Sequence, residues 1–127
     1  MKFPVLTAQE RAARLAPPTG KLRVVIDSDT YNEVDDQFAI AYALMSPERL
    51  NVEAVYAAPF SSAFLAKMMN ADAGIPMTAN LQEGLEQSYQ EILHLFSLLG
   101  RDPAGMVFRG SPTYLTDPGT SVERGAP

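Results

Sequence analysis

The hydrophobic positions change period several times along the chain, and each change marks an element. Thr7-Ala8-Gln9-Glu10 has the form of a capping box, which predicts a short helix from Ala8 to Leu15, stopped by Pro17-Pro18. Leu22 to Ile26 is a nearly unbroken aliphatic and β-branched run, the pattern of a central parallel strand covered on both faces. From Val34 the period becomes helical. Val34, Phe38, Ala41 and Met45 share one face, joined by Ile40 and Leu44, and Ser46-Pro47 closes the helix. Asn51 to Ala57 reads as a second strand, which completes a β-α-β unit. Ser62 to Met69 reads as helical up to the break at Gly74-Ile75-Pro76. Asn80 is placed to cap a long helix, Leu81 to Leu99, whose stripe is Leu85, Tyr89, Ile92, Phe96 and Leu99, with Gly100 at its end. Met106 to Arg109 is a short strand, and the chain is turn-rich from Gly110 onward.

Strands alternating with helices predict an α/β fold, a parallel sheet flanked by helices. Residues 1–21 form a helix and lead-in, and residues 22–127 form the domain. Two or three parallel strands would leave an apolar sheet edge open. The expectation is therefore the N-terminal β-α-β portion of a larger domain, incomplete as it stands.

Composition narrows the class. With 10 basic and 15 acidic residues the chain carries a formal net charge of −5, which argues against a nucleic-acid partner. It has no cysteine, so disulfides and thiolate metal sites are excluded. No apolar run is long enough to span a bilayer, and the N-terminus lacks the apolar stretch of a signal peptide. A cytoplasmic protein is expected, with no membrane partner.

The chemistry concentrates in one turn. Asp27, Asp29, Glu33, Asp35 and Asp36 lie between the first strand and the following helix. Carboxylates gathered at the carboxyl end of a strand repel one another unless a cation or proton lies between them. That end is also the ligand crevice of open α/β sheets. The helix starting near Val34 points its positive end back at the group. Several acidic signatures fail on spacing. A Ca²⁺ loop of the EF-hand kind begun at Asp27 would need Gly where Asn32 stands and Glu where Phe38 stands. Phosphate loops need glycines, and residues 28–36 contain none. Asp27-Ser28-Asp29 has the Asp-x-Asp start of haloacid-dehalogenase-like phosphohydrolases, in which Asp27 would be the nucleophile and Asp29 the acid/base. Thr30-Tyr31 then replaces the usual Gly-Thr, and Asp35-Asp36 has no role.

The order strand, Asp27-Ser28-Asp29, loop, Asp35-Asp36, helix resembles the inosine–uridine-preferring nucleoside hydrolase family. The loop Thr30-Tyr31-Asn32-Glu33-Val34 is two residues longer than the usual one and resembles a divergent branch that carries Thr-Tyr-Asn-Glu here. Leu22 to Leu44, Val55 to Phe60, Gly84 to Leu99 and Val107 to Ser111 all resemble that branch. The resemblance implies a nucleoside hydrolase-like sheet and Ca²⁺-dependent cleavage of the N-glycosidic bond of ribonucleosides. It implies Asp29 and Asp36 as Ca²⁺ ligands, Asp29 also as the general base, and Asp35 as acceptor from a ribose hydroxyl. It leaves Asp27 a supporting role, and Asn32 either lines the pocket or shapes the turn. The partner implied is a small-molecule nucleoside, with a homo-oligomer allowed. The family's further Asp and neighbouring His come from beyond the length of this chain, and Ala57-Ala58-Pro59-Phe60 stands where the family has a pocket Asn. A non-catalytic homologue is therefore the third reading, beside the hydrolase and the phosphohydrolase.

The remaining candidates read as structural. His94 lies opposite the Leu85/Ile92/Phe96 stripe, which predicts a solvated residue. Met68-Met69 reads as core, Arg109 as surface, and Asp102 and Asp117 as turn residues before prolines.

Overall fold

The structure is a computed structural model that describes residues 5–62, 78 and 80–114. Its elements in chain order are α1 (Ala8–Leu15), β1 (Leu22–Ser28), α2 (Asp35–Leu44), β2 (Leu50–Ala57), α3 (Leu81–Leu98) and β3 (Val107–Arg109). The strands form one parallel sheet in the order β1-β2-β3. This is a small α/β domain, a three-stranded parallel sheet flanked by helices. The Ser62–Met69 helix, Met68-Met69 and Asp117 fall wholly or mainly outside the described residues.

Local chemistry fixes the helix ends. The Thr7 hydroxyl accepts from the Glu10 N–H, and the Glu10 carboxylate accepts from the Thr7 N–H at 2.8 Å, so the capping box of α1 is complete. The Asn80 side chain accepts from the Glu83 N–H and starts α3. Gly100, with φ of +63°, ends it. α2 starts without a side-chain cap, and at its other end Arg101 donates to the Leu44 carbonyl at 2.8 Å.

The core joins α2, α3 and the sheet. Ile40 and Leu44 meet Val55, Ala57, Leu85, Ile92, Leu95, Phe96 and Val107. Burying each large side chain of this kind contributes about 1.5–3 kcal/mol. Leu85, Ile92 and Phe96 from the α3 stripe are buried as expected, with Tyr89 and Leu99 packed at the margin.

Two expectations are corrected. Among the described residues β1 lies at the sheet edge, and its burial alternates: Val24, Ile26 and Ser28 are covered, whereas Arg23, Val25 and Asp27 are exposed. An aliphatic run does not itself show whether one face or both are covered, and here Val25 is 60% exposed. On α2 the buried residues are Ile40, Ala43 and Leu44, while Val34, Phe38, Tyr42 and Met45 face solvent. α2 is apolar nearly all round, so periodicity alone could not select its inner face.

The sheet carries one irregularity. Val24 pairs with Val52 but Val25 with Ala54, so Glu53 is an extra residue on β2. Arg23 meets the Glu53 carboxylate through both Nε and Nη2, which lowers the carboxyl pKa and braces the bulge from the neighbouring strand.

Candidate functional site

The acidic turn is built at the carboxyl end of β1. Parallel pairing brings Ser28, Ala57 and Arg109 into one row across the three strands. Gly110 follows Arg109 and donates to the Ala57 carbonyl at 2.9 Å. A Cβ on Gly110 would lie 2.7 Å from that oxygen, so glycine is what lets the chain leave the sheet there.

Period-two geometry sends Ser28 inward, after the exposed Asp27 and before the half-buried Asp29. Ser28 and Thr30 are both buried. The Ser28 hydroxyl donates to Asp36 Oδ1 at 2.8 Å and lies 2.7 Å from Thr30 Oγ1. A hydroxyl has one proton, so Thr30 is the donor to Ser28. The chain Thr30 to Ser28 to Asp36 therefore ends on a carboxylate and ties the first turn of α2 to the end of β1. Sequence reading of the aspartates missed these two hydroxyls. The signal was available in the inward phase of residue 28.

Asp29 is held differently. Asn32 Nδ2 donates to Asp29 Oδ2 at 3.0 Å, and the Asn32 N–H donates to the Asp29 carbonyl at 2.7 Å. Asn32 is thus shaping the turn. Asp29 and Asp36 are half-buried, and each keeps one carboxylate oxygen with no protein donor among the described residues. Asp35 and Asp27 are exposed.

No family model, no curated protein and no solved structure matches the chain.

The donors of the turn suit Ca²⁺ in kind, since it prefers hard carboxylate oxygens and takes about 6–8 of them. They fall short in number. Asp29 and Asp36 supply only part of such a shell, and among the described residues no three His, Cys, Asp or Glu side chains are grouped to hold a metal. No catalytic step is therefore derived through the ion.

A second feature adjoins the turn. Tyr31, half exposed at the loop tip, faces Glu86, Gln87, Gln90, Glu91 and His94 on α3 across an open groove of about 380 Å³. Gln37, next to Asp36, donates to Glu91 Oε1 at 3.3 Å and links α2 to this wall. Gln37 Oε1 is buried without a partner among the described residues. Flipping the amide would set that oxygen against the Glu91 carboxylate, so the Glu91 bond fixes its orientation. At the groove's edge Arg109 makes a bidentate pair with Glu86 at 2.8 and 2.9 Å and lies 3.6 Å over the Tyr89 ring. The guanidinium hydrogen bonds, then the Gln90 amide, hold the Glu86 carboxyl below its ordinary value. Arg109, read from sequence as a surface residue, is a partly exposed brace between β3 and α3. His94 is exposed as expected, yet it lines the groove. Asp102 accepts from the Ala104 N–H, as a turn residue does.

Among the described residues, no helix is long and apolar enough to cross a membrane.

Proposed function

We propose that the acidic turn is the N-terminal part of a nucleoside hydrolase-like site, which cleaves the N-glycosidic bond of ribonucleosides with Ca²⁺. The observation that carries this reading is that two half-buried carboxylates near the end of β1, Asp29 and Asp36, are each oriented by a separate hydrogen bond. A lone surface acid does not need a buried hydroxyl relay to hold it, whereas a ligand carboxylate does need a fixed orientation.

In this reading Asp29 and Asp36 would be two of the residues that hold the ion, each through the oxygen that has no protein donor among the described residues. Bound there, Ca²⁺ would supply an acidified water and an anchor for the ribose diol. Asp29 would serve as the general base, with its Oδ2 held by Asn32. Asp35, exposed at the start of α2, accepts a hydrogen bond from a ribose hydroxyl. The carboxylates also stabilise the positive charge that develops on the sugar as the bond to the base breaks. Asp27, exposed one residue before the end of β1, has no reacting role in this reading.

Isothermal titration of Ca²⁺ into the wild type and Asp36→Ala tests the metal assignment. Binding in the wild type that weakens at least about tenfold in the variant is expected for loss of one carboxylate ligand. Equal affinity in the two proteins would remove Asp36 from the site. Release of free base from inosine or uridine, followed by chromatography, tests the reaction.

A further inference from the structure

We propose that α1 is a docking arm, and that its seat is the outer stripe of α2 on a second copy of this chain. The inference stands apart from the nucleoside reading, because neither surface supplies a residue to it.

Two surfaces among the described residues lack cover. α2 carries no charged residue from Gln37 to Pro47. A helix that is apolar all round is ordinarily covered on both sides. One side of α2 meets the core, but Val34, Phe38, Tyr42 and Met45, aligned on the other, are between 67% and 73% exposed. α1 lacks a place to pack. Ala8, Ala12 and Leu15 share one face, with Glu10 and Arg14 on the opposite one, yet α1 buries none of its residues. Val5 and Leu15 are 97% and 81% exposed. A helix of 8 residues is marginal in water by itself, so one held ready by a complete capping box gains most from a surface to dock on.

The two surfaces match. The arm presents small residues, Ala8 and Ala12, and the stripe presents large ones, Phe38, Tyr42 and Met45, so the ridge of one fits the shallow row of the other. Lengths agree, at about 12 Å for the arm and about 16 Å from Val34 to Met45. Charges are complementary. Residues 5–21 carry Arg11, Arg14 and Lys21 against Glu10 alone, which the cap already engages. Residues 24–48 carry six acidic residues and no basic one. Antiparallel packing sets Arg14 at the acidic start of α2, beside the exposed Glu33, and opposes the two helix dipoles favourably. The linker favours a neighbour's stripe over the chain's own. Ala16 is extended, with φ of −59° and ψ of 129°, and Pro17-Pro18 stiffens the path, so the arm stands off its domain. A two-fold pair lets each copy give one arm and take one. Each stripe exposes on the order of 500 Å², and two stripes with two arms bury about 1,600 Å², the size of a stable dimer interface. An anionic membrane fits less well, because the chain is itself net negative at −5 and the arm's apolar face is small.

The test is sedimentation equilibrium of the 127-residue chain, with circular dichroism to confirm folding of every variant. A dimer of twice 13.8 kDa, dissociating in the micromolar range, is expected. Leu15→Glu and Tyr42→Glu should each weaken it at least about tenfold, because each sets a carboxylate against apolar surface. Arg14→Glu should weaken it only a few-fold, as loss of an exposed ion pair does. Val25→Thr, on the exposed face of the sheet, should leave it unchanged. Mixing decides the contact. The Leu15→Glu and Tyr42→Glu chains have one sound arm and one sound stripe between them, so the mixture should associate more strongly than either variant alone. A folded chain that stays monomeric at several hundred micromolar, or a dimer indifferent to Leu15→Glu, overturns the inference. A dimer lost in both variants and not recovered on mixing overturns it too, since arm would not meet stripe. Capture of a monomeric chain by phosphatidylserine vesicles, abolished by Leu15→Glu, overturns it in favour of a membrane surface.

Discussion

Gly84→Ala reverses the sign that helix chemistry alone would give. Gly84 lies in the first turns of α3, where replacing glycine by alanine ordinarily stabilises a helix by about 1 kcal/mol. Here a Cβ would overlap the Phe60 carbonyl oxygen and lie 2.8 Å from its carbon and 2.9 Å from its nitrogen. Carbon atoms in contact rest about 3.5–4.0 Å apart. The obstacle is backbone just past the end of β2, so no side-chain rotation relieves it, and α3 must move outward. Phe60 and Leu85 are both buried at that contact, so the movement opens the core. Overpacking costs about 1–3 kcal/mol, and a backbone clash belongs at the upper end. After the helix gain, a net loss of about 2 kcal/mol remains. At about 4 °C per kcal/mol for a domain of this size, the melting temperature falls by about 8 °C. Thermal unfolding followed by circular dichroism at 222 nm reads the change directly. An unchanged or raised melting temperature would refute the close approach of α3 to Phe60.

Two further predictions concern the site's supports. Ser28→Ala strands the buried Thr30 hydroxyl and removes the donor to Asp36, so it should cost about 1–3 kcal/mol in urea unfolding. The double variant with Thr30→Val should cost less than the sum of the singles, and strict additivity would mean that the relay does not exist. Glu86 is ionised more readily in the folded than in the unfolded chain. Its contribution is therefore complete above the ordinary value of 4.5 and fades as pH falls through the lower folded value. Glu86→Gln should flatten stability in that acid window and cost only about 0.2–1 kcal/mol near neutrality, because both partners are more than a third exposed. A variant whose acid profile matches the wild type would rule out the Arg109 pair as its cause.

The legible parts of the sequence were those decided over a few residues. The Thr7/Glu10 box, the Asn80 cap and the stop at Gly100 depend on local backbone donors and on one positive φ, and all three occur as read. The α3 stripe was legible because its polar residues occupy the opposite face. α2 was not, since Phe38, Tyr42 and Met45 are as apolar as Ile40 and Leu44, and only contact with β2 and α3 selects between them. The same holds for β1, whose place at the sheet edge is a property of the whole topology. At the site, the aspartates announced themselves by charge. Their supports did not, because Ser28, Thr30 and Gln37 gain meaning only from what lies across the turn. The groove needed residues from positions 31 and 86–94 to be brought together, which no spacing rule encodes.

The two carboxylates of the turn answer to different parts of it. Asp36 is fastened at the neck, where Ser28 on β1 reaches the first turn of α2, while Asp29 is fastened to Asn32 within the loop itself. A residue gained or lost at the exposed tip, positions 31–34, therefore displaces Asn32 and frees the Asp29 carboxylate to turn, while Asp36 keeps its bond to Ser28. Loops tolerate such length changes at small entropic cost. The site thus has one fixed carboxylate and one adjustable one, and loop length becomes a means of retuning the gap between them without disturbing the fold.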